Sequence, residues 1–173
     1  MNSLFIFHRD LRKEDNIGLI ETIKKSKKVF PVFIFTPDQV SNKNKYKSDN
    51  SVQFMVNSLA ELEKSFPVSF FYGDTTQIVK KLLNTKSLEI THVAYNKDFT
   101  PYAKSRDNKL KKMIKASFKE IDWCEHDDVT LQPLEKTLKG DGTPYRVYTP
   151  FYNNAKKIKV PSPLKWSSGY SRK

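Results

Sequence analysis

The stretch Val29-Phe30-Pro31-Val32-Phe33-Ile34-Phe35 is the longest unbroken apolar run in the chain, at seven residues. It is far too short to span a membrane. Continuous apolar character without polar alternation is the pattern of a strand buried on both faces, as in a parallel sheet covered by helices on each side. Shorter runs of the same kind occur at 4–7, 68–72, 92–95 and 118–123. Between them, apolar residues recur at helical spacing: Ile17, Ile20 and Ile23; Val52, Met55, Val56, Leu59 and Leu62; Ile78, Val79, Leu82 and Leu83; Leu110, Met113 and Ile114. Ser51 and Thr75 read as helix caps, and 38–50 reads as a polar loop. Strands alternating with helices imply βαβ units. The expected fold is therefore α/β, a Rossmann-like doubly wound five-stranded parallel sheet in the order 3-2-1-4-5.

Beyond residue 125 the periodicity fades. Residues 139–144 are turn-rich, and 148–151, the basic Lys156 to Lys159 and the Pro161/Pro163 tail read as a connection leading away from the sheet. The expected division is an α/β domain over 1–130 and an extension over 131–173 that begins an interdomain linker.

The 173 residues suffice for one domain with a real core, and 38% hydrophobic and 13% aromatic content excludes a disordered chain. The N-terminus reaches Arg9 and Asp10 after one short apolar stretch, which is no secretory leader pattern. A single cysteine, Cys124, excludes an internal disulfide and a cysteine-based zinc site. These features point to an intracellular protein of cytoplasm or nucleus. The net charge of +12 makes a polyanionic partner plausible, although lysine-rich surfaces also serve solubility. The excess is uneven: residues 151–173 hold six Lys/Arg and no acid.

Ligands of open parallel sheets bind beyond the carboxyl ends of the strands, where strand order reverses. The tips that meet there are the richest in functional side chains. Strand one ends in His8-Arg9-Asp10-Leu11-Arg12, strand two in Thr36-Pro37-Asp38 and strand four in Asn96-Lys97-Asp98-Phe99. Arg9 would supply a cation, Asp98 an acceptor, and Phe35 or Phe99 an apolar wall for a planar ring. From spacing alone the favoured reading is plainer: Arg9, Asp10 and Arg12 would serve as loop ion pairs and Asp98 as a helix cap. No G-x-G-x-x-G follows the first strand, no Walker loop or nucleophile elbow exists, and His8, His92 and His126 lack metal-ligand spacing. The chain offers a pocket without catalytic machinery.

Four collinear blocks carry a family resemblance. Phe7-His8-Arg9-Asp10-Leu11-Arg12-Lys13-Glu14-Asp15-Asn16-Ile17-Gly18-Leu19 resembles the opening signature of DNA photolyases and cryptochromes. Phe33 to Gln39 is similar to that family's second strand tip, and Asn96 to Asp107 to its fourth strand and following helix. Asp141-Gly142-Thr143-Pro144-Tyr145-Arg146-Val147-Tyr148-Thr149-Pro150-Phe151-Tyr152 resembles the block closing its N-terminal domain.

The resemblance implies an antenna-type α/β domain without the larger helical domain that holds FAD, the electron-transfer tryptophans and the groove for a pyrimidine dimer. The expected function is one half of a split deoxyribodipyrimidine photolyase, not catalytic alone, whose partner is an FAD-binding helical half on another chain. DNA contact would then be weak or indirect. By the same resemblance Arg9, Phe35, Thr36, Pro37, Asp38, Asp98 and Phe99 form an antenna-chromophore pocket. Deazaflavin or FMN is expected there rather than folate, because the acidic residue of folate-binding members has no counterpart. His8 departs from the family's usual first arginine. Docking on the helical half implies an exposed apolar patch, for which Tyr148, Phe151, Tyr152, Ile158 and Val160 are the candidates. The alternatives are a stand-alone nucleotide-binding module and a folded remnant without function.

Overall fold

A computed structural model describes residues 1–42 and 44–167. Strands β1 (Asn2–Phe7), β2 (Lys28–Phe35), β3 (Ser69–Tyr72), β4 (Ile90–Asn96) and β5 (Asp122–His126) form one parallel sheet in the order β3-β2-β1-β4-β5. This is the doubly wound order that the strand–helix alternation predicts. The helices are α1 (Ile17–Lys25), α2 (Pro37–Val40), α3 (Asp49–Ser65), α4 (Thr75–Leu83), α5 (Pro101–Ser117) and α6 (Tyr148–Ala155).

Successive side chains of a strand point to opposite faces, so an unbroken apolar strand feeds two cores at once. Leu4, Ile6, Val32, Ile34, Val93 and Tyr95 meet Val79 of α4 and Leu110 and Ile114 of α5 on one face. Phe5, Phe7, Phe33 and Ala94 meet Leu19 of α1 and Leu59 and Leu62 of α3 on the other. The central strand β1 is sealed from water, with Leu4 and Phe5 at 0% exposure. Each such side chain contributes about 1.5–3 kcal/mol by burial. Pro31 is tolerated in β2 because β3 pairs with that strand only from Val32 onward.

Several local expectations are corrected. The fifth strand runs Asp122–His126, later than the 118–123 run suggests. Phe118 instead closes the end of α5, its amide donating to the Ile114 carbonyl, and Ile121 follows in a turn. Asp74, rather than Thr75, caps α4 by accepting from the Gln77 amide. Helix α3 starts at Asp49 with Ser48 in the cap position, ahead of Ser51, and Pro37–Val40 makes a short helix inside the supposed loop. The segment after residue 125 does not simply lead away. It forms α6 and then folds back, so that Leu164 exchanges two hydrogen bonds with Asp15, at 2.7 and 3.2 Å. The Trp166 ring packs edge-on against Phe66 at the end of α3, at 5.4 Å.

A knot of buried polar side chains holds the carboxyl edge of the sheet. The Asp10 carboxylate accepts from the His8 amide (2.8 Å), from Asn96 Nδ2 (2.6 Å) and from Asn16 Nδ2 (3.1 Å). Asn16 Oδ1 accepts from the Leu19 amide and from Asn96 Nδ2, while Asn96 Oδ1 accepts from the Gly18 amide at 3.0 Å. The tips of β1 and β4 are thereby bound to the start of α1. Buried polar groups are costly unless satisfied, and here the three side chains satisfy one another.

Gly18 lies against Asn96 and Phe5: a Cβ would collide with Asn96 Oδ1 and stand 3.2 Å from the Phe5 ring. Gly18→Ala is expected to cost about 1–3 kcal/mol by overpacking, read as a lower urea midpoint at unchanged slope. Asp10→Asn is expected to lose about 1–3 kcal/mol, because its new amide would face a donor in place of an acceptor. A thermal melt of Asp10→Asn matching the wild type would show that the knot does not hold the edge.

Candidate functional site

The tips of β1 and β4 bring Arg9 and Asp98 together. Arg9 Nη1 stands 3.9 Å from Asp98 Oδ2, with the Arg9 side chain 71% exposed and that of Asp98 only 12%. So long and exposed a pair contributes little to stability, and the guanidinium remains available to a ligand. Asp98 Oδ1 accepts from the Thr100 amide, but the cap of α5 is Thr100, whose hydroxyl accepts from the Ala103 amide. Asp98 and Phe99 line an open groove of about 290 Å3 between the β4 tip and α5, together with Tyr95, Lys104, Asp107 and Glu125. Burial pushes the Tyr95 phenol far up and also raises the Asp107 carboxyl, although Arg106 pulls the latter back down.

The second tip is placed differently. The Phe35 ring lies on the α1/α3 face, 4.9 Å from Phe33 and 6.2 Å from Phe70. Thr36 Oγ1 bonds Gln39 Oε1 (3.0 Å) and the Tyr102 hydroxyl (2.9 Å). Pro37 and the exposed Asp38 open α2. Of the seven residues expected to form a pocket, the structure places Asp98 and Phe99 in one groove and pairs Arg9 with Asp98 across the strand tips. Phe35 is held by aromatic packing and Thr36 by hydrogen bonds.

Sequence reasoning missed the group between these tips. Arg106 of α5, its side chain 10% exposed, donates from Nε to Asp107 at 2.7 Å and from Nη2 to His8 Nδ1 at 3.2 Å. A guanidinium can only donate, so Nδ1 accepts and the imidazole proton sits on Nε2. The signal lay in the four-residue spacing: extending the buried series Ile114, Leu110 back along α5 lands on Arg106 and then Tyr102, whose ring lies 5.9 Å from the guanidinium carbon. His8, Thr36, Gln39, Thr75 and Arg106 enclose a cavity of about 10 Å3, room for about one water. That volume leaves no room for a planar ring, and the groove beside Asp98 is the wider of the two spaces.

The start of α1, where doubly wound nucleotide-binding folds seat a pyrophosphate, is already filled. The amides of Ile17, Gly18 and Leu19 donate to Asp128, Asn96 and Asn16 side chains at 2.8, 3.0 and 3.0 Å. Arg12 completes this closure with an ion pair to Asp128 at 2.9 Å, the Asp128 side chain being 0% exposed. Cys124 lies within β5, its thiol raised by burial, which suits a packed group rather than a nucleophile. Among the described residues no group of three or more His, Cys, Asp or Glu could hold a metal ion. No helix among them is long and apolar enough to cross a membrane.

A doubly wound sheet with a closed phosphate seat, and an Arg–Asp pair across its switch point, defines a Rossmann-like domain that is not of the dinucleotide type. The DNA photolyase family model matches residues 3–165, and the chain belongs to that family. Its fold superposes on the archaeal photolyase from Sulfolobus tokodaii, solved with two FAD molecules, with a TM-score of 0.83 at 36% identity, covering 95% of this chain and 37% of that one. A Synechococcus deoxyribodipyrimidine photo-lyase is 27% identical over 166 residues, 93% of this chain and 33% of its own length. The fold is also that of a Synechocystis cryptochrome, with a TM-score of 0.83 at 16% identity. The chain spans between 31% and 56% of the length of the curated relatives it matches.

Burial, and then the Arg106 charge, hold the His8 imidazole well below its ordinary value of 6.5; burial also lowers His92 and His126. The unfolded chain therefore binds more protons than the folded one just below that value. Stability is full above about pH 6.5 and is lost as pH falls from there through the lowered native values. Thermal melts between about pH 7.5 and 5.5 should show this decline, and His8→Gln should reduce its slope. Parallel pH profiles for His8→Gln and wild type would remove His8 from the explanation.

Proposed function

We propose that this chain is the α/β domain of a deoxyribodipyrimidine photolyase system, serving light-dependent repair of pyrimidine dimers together with an FAD-binding helical half supplied from outside these 173 residues. The observation that carries the reading is the joint match of family model, sheet order and fold over nearly the whole chain, against about a third of most relatives' length. The domain is not catalytic alone. Its contribution is a chromophore site: Arg9, Asp98 and Phe99 would hold an antenna ring such as a deazaflavin or FMN, with Thr36, Pro37 and Asp38 along the second tip and Phe35 beneath it. An antenna absorbs light and passes the excitation on; the protein's share is to fix distance and orientation. The Sulfolobus tokodaii photolyase, with its two FAD molecules, carries the implication of a novel light-harvesting cofactor, which supports such a site here.

Chemically, Arg9 would donate to a carbonyl or phosphate oxygen of the ligand, and Asp98 would accept from a ring N–H or a ribityl hydroxyl. Phe99 would cover the ring. A stand-alone adenine-nucleotide module is disfavoured, because the first three amides of α1 are committed to side chains.

The test is the absorption spectrum of the purified chain before and after incubation with FMN, a deazaflavin and a folate. A red-shifted band held near one-to-one for FMN or deazaflavin is expected, weakened at least about tenfold by Arg9→Ala or Asp98→Ala, in line with loss of a charged hydrogen bond. A spectrum unchanged by all three compounds would sink the antenna assignment.

A further inference from the structure

Helix α6 carries an aromatic surface that the domain's own core does not use. Tyr148 is 71% exposed, Tyr152 49% and Phe151 36%, and the Tyr148 and Tyr152 rings stack at 5.8 Å with planes 16° apart. Of the eight residues of α6, Ala155 alone is buried. A helix that buried its aromatic face against its own sheet would show the reverse.

The surface continues beyond the helix. Gln132 Nε2 donates to the Ala155 and Ile158 carbonyls at 2.9 and 3.0 Å, bringing the stretch before it alongside the end of α6. There Val129, Leu131 and Val160 are 53%, 76% and 46% exposed and line an apolar groove of about 430 Å3. Exposed apolar side chains gathered in this way, on α6 and in the groove beside its end, are the mark of an interaction site. From Gly142 to Ser167 the chain carries Arg146, Lys156, Lys157, Lys159 and Lys165 and no acid, so the α6 side of the surface is cationic, while Asp15 and the Arg12-paired Asp128 line the opposite wall of the groove.

We infer that α6 and the adjoining Val129–Leu131–Val160 groove form the docking surface for the FAD-binding helical half, whose matching face is apolar at its centre and acidic where it meets the lysines around α6. The inference rests on the function proposed above and adds the place of contact. Two observations choose this occupant. In the Sulfolobus tokodaii photolyase nearly two thirds of the chain lies outside the part matched here, so a large partner surface exists in the family. The family match ends at residue 165, in the same strap that carries Val160 and Leu164 into the groove, so the remainder of a relative's chain departs beside this surface. Large aromatic anchors ringed by charge are the usual composition of a docking hot spot. The groove is also bounded by Arg12, Asp15 and Ile17, which places the surface at the carboxyl edge of the sheet, the edge that carries Arg9 and Asp98.

The experiment measures binding of the full chain to the part of Sulfolobus tokodaii photolyase beyond the matched segment, purified with its FAD bound as a check that it is folded. Wild-type chain should bind, and Tyr148→Ser/Phe151→Ser/Tyr152→Ser should weaken binding at least about thirtyfold with its melting temperature little changed. Tyr148→Ser/Tyr152→Ser, which removes only the two most exposed rings, guards against a folding defect. Equal binding by wild type and variants would overturn the surface assignment while leaving the proposed function intact. No binding by the wild type would overturn both. Salt-sensitive binding of a single-stranded oligonucleotide through the same rings, without binding of the photolyase part, would overturn the assignment in favour of a nucleic-acid surface.

Discussion

The carboxylate of Asp10, buried and shared between two asparagines, is the constraint on which the carboxyl edge of the sheet depends. Burial raises its carboxyl above the ordinary value, and donors from His8, Asn96 and Asn16 work against that rise. One side chain thereby fixes where β1 stops, how α1 begins and how far β4 stands from both. Had the amides of α1 remained open, this edge would resemble the phosphate seat of a nucleotide-binding fold. Because Asn16, Asn96 and Asp128 occupy those amides, the edge is rigid and closed at α1. Its openings lie at the groove beside Asp98 and at the apolar groove beside Val160.

That closure divides the signature between structure and ligand. Within Arg9-Asp10-Leu11-Arg12, Asp10 and Arg12 are committed to the fold by their partners, Leu11 packs partly into the α1/α3 core, and Arg9, the most exposed of the four, reaches toward Asp98 through solvent. Both readings offered by the sequence are present, residue by residue: ion pairing for Arg12, an available cation for Arg9. The same division appears at the second tip, where Thr36 is tied to Tyr102 and Gln39 while Asp38 faces water.

The fold was largely legible because strand burial on two faces leaves a continuous apolar run, and Val29 to Phe35 is one. The boundaries that slipped did so for a physical reason. Phe118 and Ile121 pack against the α4/α5 core from a turn, so their apolar character mimics a strand that begins only at Asp122. Helix α6 was hidden by Pro150, which usually breaks helices. Here it falls in the first turn, where a missing N–H costs no intrahelical bond. The return of the strap to Asp15 and Phe66 left no local pattern, since Leu164 meets Asp15 across 149 positions and Trp166 meets Phe66 from another distant part of the chain. His8 and Arg106 were illegible as a pair because their meeting is made by the packing of α5 across β1 and β4.

The most direct test of the proposed two-part photoenzyme is the rate of thymine-dimer repair by an FAD-loaded helical half under limiting blue light. The rate is compared with and without this chain after incubation with the chromophore it retains. A faster rate, with an action spectrum that gains the absorption band of that chromophore, is the expected result. A rate and action spectrum unchanged by a saturating excess of the chain would contradict the assignment.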